Sequence, residues 1–359
     1  MKKQHKSSNS QWINYVVSLC GVLLIGSVLI LIQGSSPLEA FGAIVSGSLG
    51  SISAISSSIR WSIPVLIATM AAIIAQKPGI INLGLEGQIY FAAFSAGLVG
   101  ALVPLPRIIH IPFTILVGGI VGLIYAILPA LLKVYLKIDE MVSTLMMNYI
   151  AVFATELLTM NLSGLNATSN PDMIATPEIL DSAKLPQLFK PYQASAGIFI
   201  AIGIVFIVHI IYKYTRTGYE WEQLGRNSRF ARYGGIRDKK NYITVFLLSG
   251  FVAGICGAVE IIGAHYRFRN NFASNLGWDG IMVALIAKNN PMVALVVGVI
   301  WGMIKAGSLS MERMTNVNRI LVTLIQALFV LFVTVDIKAL VKKVINKQKR
   351  KRQLGGEAV

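Results

Sequence analysis

Three polar side chains interrupt an apolar run at Gly79–Gly97, GIINLGLEGQIYFAAFSAG: Asn82, Glu86 and Gln88. Four glycines share the run, Gly79, Gly84, Gly87 and Gly97. A carboxylate inside a membrane span costs about 2.5 kcal/mol or more unless protein or water receives it. Glycine thins or breaks a helix and lets another backbone come close. Together these residues read as a broken membrane segment whose polar groups line a path or knit the break itself. The chemistry on offer is hydrogen bonding, not bond making. The plainer alternative is a seam of small residues between helices, with Glu86 near the interface.

No catalytic pattern accompanies this stretch. The chain has no G-x-x-x-x-G-K-[ST] phosphate loop, so ATP is not bound by that route. The four histidines, His5, His110, His209 and His265, are scattered without metal-ligand spacing. Cys20 and Cys256 both fall in apolar runs and read as inert packing thiols. An enzyme, a metal site and a cofactor held by this chain are not expected.

Composition sets the fold class. Of 359 residues, 55% are hydrophobic and 13% are charged. A soluble domain carries about 25% charged residues, and the mean hydropathy here is +0.66. The expectation is an all-α, polytopic transmembrane bundle in the cell membrane. The net charge of +16 does not indicate nucleic acid, because the basic residues cluster. Three lie in the tail up to Lys6, seven in Arg216–Lys240 and eight after Ile337. That is the positive-inside pattern, with attraction to anionic lipid headgroups. It places both termini and the Arg216–Lys240 loop in the cytoplasm.

The bundle follows from apolar length and breaks. The basic start and the run Val16–Ile32 resemble a signal peptide. The run is too long for one and no cleavage site follows, so a retained first helix is expected. Residues 1–14 are expected as a cytoplasmic tail, 15–336 as the membrane domain and 337–359 as a basic cytoplasmic tail. Seven serines between Ser46 and Ser58 argue against lipid exposure there and suggest a helix along the outer surface. Spans are expected near Tyr15–Gln33, Ile59–Gln76, Gly79–Val103, Ile109–Leu132, Met141–Met160, Ala194–Tyr214 and Thr244–Gly263. Residues 161–193 form an external loop. A short crossing near Gly280–Lys288, then Pro291–Ala306 and Ile320–Val335, brings the total to about ten segments. Eight segments with re-entrant pieces at Gly79–Gly87 and Gly277–Lys288 also keep both ends inside. Arg267 and Arg269 fall outside in the ten-segment count, against the charge rule. Gly84-Leu85-Glu86-Gly87 is echoed by Gly277-Trp278-Asp279-Gly280, an acid between glycines at the start of an apolar run. Matching broken helices in duplicated halves would produce such an echo.

The loop at 215–242 is more than a basic connector. Trp221, Leu224, Phe230 and Tyr233 fall at helix-like intervals between glycines. A short helix lying across the membrane axis, with these residues as knobs, suits a groove on a cytoplasmic partner.

Four stretches carry a family resemblance. PGIINLGLEGQIYFAAFSAG resembles the N-[IL]-G-x-E-G-Q motif of the permeases of branched-chain amino acid and ribose type ABC importers, especially the nucleoside and simple-sugar permeases. Asp139–Ala151, DEMVSTLMMNYIA, is similar to their D-E-x-[IV]-x-T-L-M-x-N-Y motif. Gly218–Ile236 resembles their coupling loop, with Gly225, Asn227, Ala231, Arg232, Tyr233, Gly235 and Ile236 at matching places. Gly277–Pro291 is similar to their G-x-x-G-I-x-V-A-L segment. Glu222, Gln223 and Ala287-Lys288 depart from the usual pattern.

The resemblance implies one permease subunit that moves a nucleoside. A second, shorter permease, two ATP-binding-cassette ATPases and an extracytoplasmic substrate-binding lipoprotein would complete the importer. ATP would be used by the ATPase alone. Asn82, Glu86, Gln88, Asn148 and Asp279 would line the path or shape the broken helices. Glu222, Gly225, Asn227, Ala231, Arg232, Tyr233 and Gly235 would form the coupling loop. Three alternatives stay open: a simple-sugar permease, an ion-driven transporter using Glu86 with Asp279, and a scaffold that transports nothing.

Overall fold

Apolar runs punctuated by Gly, Pro and Asn give a chain of helices. The computed structural model describes residues 21–161, 174–270, 272, 275–315 and 317–334. The helices are α1 Gly21–Ile32, α2 Pro37–Leu49, α3 Ile52–Gln76, α4 Leu85–Leu102, α5 Arg107–Tyr135, α6 Glu140–Asn161 and α7 Gly197–Tyr214. Then come α8 Arg216–Arg226, α9 Ser228–Tyr233, α10 Asp238–Glu260, α11 Leu276–Ile286, α12 Pro291–Met314 and α13 Ile320–Thr334. A π turn, Ile261–His265, extends α10. Seven of these helices are long and apolar enough to cross a membrane, or eight if α1 and α2, bent by 112°, form one broken span. The expected tails at 1–14 and 337–359, Cys20 and residues 162–173 lie outside the described residues.

The chain forms two compact units, residues 46–307 and the remainder. In the second, Gly26 of α1 faces Ile325 of α13. The first unit is built around α3 and α10. Their apolar windows are 89% and 78% buried, against 33% or less for α5, α6 and α7, which therefore face outward. α3 starts at Ile52, seven residues before the expected Ile59. Ser51 caps it by accepting from the N–H of Ala54 (3.1 Å). Of the seven serines, Ser48, Ser56 and Ser58 are buried in the protein, while Ser46, Ser51 and Ser53 stay exposed; Ser58 donates to the carbonyl of Ser48 and Ser62 to that of Ser58.

Small residues let the central helices touch. α5 carries Gly118, Gly122 and Ala126, and α10 carries Gly250, Gly254 and Ala258, each set spaced by four. A Cβ on Gly122 would stand 2.3 Å from the carbonyl oxygen of Gly250. One on Gly254 would stand 2.2 Å from that of Gly118. Such seams drive helix association where hydrophobicity cannot. The sequence reading missed this seam, whose available signal was two i, i+4 glycine pairs.

Residues 174–196 are not a simple external loop. Ala175, Ile179, Ala183 and Leu185 are buried. The N–H groups of Thr176 and Ile179 donate to the carbonyls of Phe268 and Tyr266. Arg267, expected on the outer side against the charge rule, pairs with Glu178 (3.3 Å). Lys184, hydrogen-bonded to Glu178 and Asp181, holds both carboxyls below their usual range. α12 also runs on to Met314, past the expected Ala306.

Gly122→Ala is expected to lower stability by about 1–3 kcal/mol, because backbone must shift to admit the methyl group. Gly203→Ala, in α7 with nothing within 4 Å, is expected to raise it by up to about 1 kcal/mol through helix propensity. Thermal unfolding in detergent checks both signs. Equal losses at the two sites contradict the seam.

Candidate functional site

The break between α3 and α4 is closed by side chains. α3 ends in a Schellman turn: the N–H of Gly79 donates to Gln76 O (2.9 Å) and that of Ile80 to Ala75 O (3.1 Å). Gly79 has φ +86°, a left-handed conformation suited to glycine. Residues 80–84 then run without helix. Asn82 is 2% exposed. Its Nδ2 donates to Gln88 Oε1 (3.2 Å) and Ser249 Oγ (3.1 Å), and its Oδ1 accepts from the N–H of Gly84 (3.0 Å). Ser249 donates in turn to Ala71 O (2.8 Å). Asn148 of α6 works from the other side. Its Oδ1 accepts from the N–H of Gly87 (2.8 Å) and its Nδ2 donates to Leu83 O (2.9 Å). Thr144 Oγ1 accepts from the N–H of Leu83 (3.2 Å). The N–H groups of Leu83, Gly84 and Gly87 and the carbonyl of Leu83, freed by the break, are thus paired by side chains, as a low-dielectric medium requires.

Glu86 joins this break to a second one. Its Oε1 accepts from the N–H of Asn275 (2.9 Å) and its Oε2 from that of Gly277 (2.6 Å). It therefore caps α11, whose amino end carries a positive partial charge. Asn275 has φ +67°. A Cβ on Gly277 would stand 2.5 Å from the backbone nitrogen of Glu86. The two echoed acid-and-glycine sequences thus pack directly on each other. α11 has 11 residues, about 16 Å, roughly half the hydrocarbon thickness. It begins at Leu276 rather than at the expected Gly280.

Asp279 points elsewhere. It is buried against α12, where its Oδ1 accepts from Trp301 Nε1 (3.0 Å) and its Oδ2 pairs with Lys305. Of the five residues singled out in the sequence, Glu86 and Asn148 border open space. They line a pocket of about 200 Å³ with Tyr90, Tyr149, Val152 and Trp278. Asn82 and Gln88 are buried in the break.

Sequence reading missed a second buried polar cluster. Arg60 pairs with Glu260 (2.6 Å), and His265 lies 3.3 Å from the same oxygen. Arg60 and Lys305 both lie over the Trp61 ring. Arg60, Glu260 and Lys305 all fall inside expected spans, and an ionisable residue there was the available signal.

The loop at 215–242 holds two helices, α8 and α9, with its anchor reversed from expectation. Trp221 and Leu224 are 1% and 3% exposed, so they are not knobs for a partner. Trp221 Nε1 donates to Asn241 Oδ1 (3.0 Å), and its ring meets Tyr212 edge-on. Tyr219, Phe230 and Tyr233 are exposed. Gly225 packs on the turn that follows α3, where a Cβ would stand 2.0 Å from Lys77 O. Glu222 pairs with Arg226 (2.7 Å) and lies 3.9 Å from Lys77. Burial lowers the Lys77 ammonium from its ordinary value, opposed by Glu222. Asn227 caps α9 by accepting from the N–H of Phe230 (3.1 Å), with Ala231 buried beneath. Arg232 pairs with Asp238, and Gly235 takes φ +83°.

Two broken helices meet at Glu86, and the α8–α9 loop rests on the turn that leads into the first of them. The family model for the branched-chain amino acid transport system permease component matches residues 54–334. The chain belongs to this permease family. It is a multi-pass membrane subunit, not an enzyme. The guanosine ABC transporter permease protein NupP of Bacillus subtilis is 29% identical over 87% of this permease and 89% of its own length. The glucose ABC transporter permease protein TsgB13 of Haloferax volcanii is 28% identical over 89% and 87%. The nucleoside ABC transporter permease protein NupB of Lactococcus lactis is 25% identical over 87% of each. Both bacteria carry a second matching ABC permease, at 22% and 23% identity. No solved structure matches.

Asp279→Leu should take from Lys305, whose side chain is 19% exposed, the carboxylate it pairs with and lower stability by about 1–3 kcal/mol. Asp279→Leu with Lys305→Met should recover most of it. Thermal unfolding of the purified permease reads both, and a single variant as stable as the parent contradicts the pairing.

Proposed function

We propose that this permease carries a nucleoside inward across the cell membrane as one subunit of an ABC importer. Two of the three relatives above are permeases for guanosine or nucleosides, and they match over most of the chain. The observation that carries the reading is the meeting of two broken-helix ends at Glu86, beside a pocket lined by Tyr90, Tyr149 and Trp278. Such breaks place polar groups at mid-membrane, where a transported molecule needs them.

The remaining parts follow. A second, shorter permease faces this one, which accords with the paired permeases of both bacteria. ATP is used by separate ATPase subunits that dock on α8 and α9, through exposed Tyr219, Phe230 and Tyr233 and the basic residues around them. A substrate-binding lipoprotein delivers the nucleoside from outside. About ten segments cross the membrane, counting α4 and α11 with their breaks, and both ends are cytoplasmic. Closure of the ATPases biases the permeases between outward- and inward-facing states, a population shift set by differential binding. Gly225 resting on the Lys77 turn gives that bias a short contact route into the residues before Asn82.

A second reading, glucose, is favoured by the archaeal relative alone. An ion-driven mechanism finds little support, because Asp279 is engaged by Lys305 and Glu86 by two backbone N–H groups.

The test is purification from mild detergent with its companions, reconstitution, and uptake of labelled nucleoside and glucose. ATP-dependent nucleoside uptake that vanadate stops and glucose does not compete with is expected. Glucose uptake alone, or uptake that collapses with the ion gradient and ignores vanadate, contradicts the reading.

A further inference from the structure

We propose that the pocket beside Glu86 is half of a nucleobase site, and that the second permease subunit supplies the other half. The inference rests on the nucleoside reading above and deepens it. Complete small-molecule sites occupy roughly 300–1,000 Å³. At about 200 Å³ this pocket holds one planar ring and leaves the rest of a ligand uncovered. Its walls match a flat heterocycle. Tyr149 and Trp278 supply aromatic surface, and a base stacks on such rings because each has a π face; Tyr90, 3% exposed and stacked on Phe272 (5.5 Å), backs the wall.

Its polar groups match a base's edge. A side-chain amide carries two N–H donors and an oxygen with two lone pairs. Asn148 uses one donor on Leu83 O and one lone pair on the N–H of Gly87. One N–H and one lone pair remain, the complement of the paired donor and acceptor that nucleobases present. Glu86 accepts one hydrogen bond at each oxygen, so each oxygen keeps an acceptor position. A sugar offers hydroxyls all round but no flat face of conjugated atoms, so the aromatic walls favour the base.

Tyr149 marks where the missing half sits. It lines the pocket yet is 58% exposed, on the α6 face that also exposes Val142, Met146 and Phe153. A facing subunit on α6 would close the ring of contacts over it.

The test uses the complete reconstituted complex with three versions of the chain: parent, Tyr149→Phe and Tyr149→Ala. Tyr149 makes no hydrogen bond among the described residues, so truncation leaves the bonds from α6 to the α3–α4 break intact. Tyr149→Ala is expected to raise the KM for nucleoside uptake roughly five- to tenfold, the size of one lost aromatic contact. Tyr149→Phe should stay near the parent, since the ring is kept. Free nucleobase should compete with uptake in the parent more strongly than in Tyr149→Ala. An unchanged KM in Tyr149→Ala overturns the half-site while leaving nucleoside transport standing. Loss of the second permease on purification of Tyr149→Ala also overturns it, making Tyr149 an assembly contact. A parent complex that moves glucose and no nucleoside overturns both readings at once.

Discussion

The carboxylate of Glu86 and the amino end of α11 make each other tolerable. A helix that starts inside a bilayer leaves its first N–H groups unpaired, at a cost of several kcal/mol each in hydrocarbon. A carboxylate in the same place is also expensive. Glu86 accepts from the N–H groups of Asn275 and Gly277, so one contact removes both penalties. The contact also requires Gly277, because a larger residue would collide with the backbone of Glu86. The position of α11, and hence of Asp279, Trp301 and Lys305 behind it, depends on this cap.

The same logic runs through the α4 break. Asn82, Thr144 and Asn148 bond backbone groups that a continuous helix would have paired itself, and Gln88 and Ser249 hold Asn82 in place. The break starts at the turn on which Gly225 rests. A shift of α8 therefore bears directly on the chain that leads to Asn82 and Glu86. The ionic groups nearby come in opposite charges, Arg60 with Glu260 and Lys305 with Asp279. This balance suits passage of a neutral solute.

Much of this was legible in the sequence. Glycine and proline marked the breaks, and polar residues in apolar runs marked the groups that repair them. The acid-and-glycine echo pointed to the two helix starts that meet. What stayed hidden were facts of partnership. Nothing local told that Asn148 would bond to Leu83 and Gly87, or that Asp279 would turn to Lys305, because these pairs form across helices. Trp221 and Leu224 misled for a related reason. Apolar residues on a short helix mark a buried face, but not whether the chain itself or a partner buries it. Here Tyr212 and Asn241 receive Trp221. The start of α3 was set by a serine cap that composition could not separate from a serine-rich surface.

The cap itself is open to direct measurement by amide hydrogen exchange over Asn275–Gly280 in the parent and in Glu86→Ala. The account predicts that exchange there rises at least about tenfold when the carboxylate is removed, since two charge-assisted bonds are lost. Exchange in the Gly250–Ala258 seam of α10 should stay as slow as before. Unchanged exchange over Asn275–Gly280 in Glu86→Ala would contradict the account, because α11 would then hold its place without Glu86.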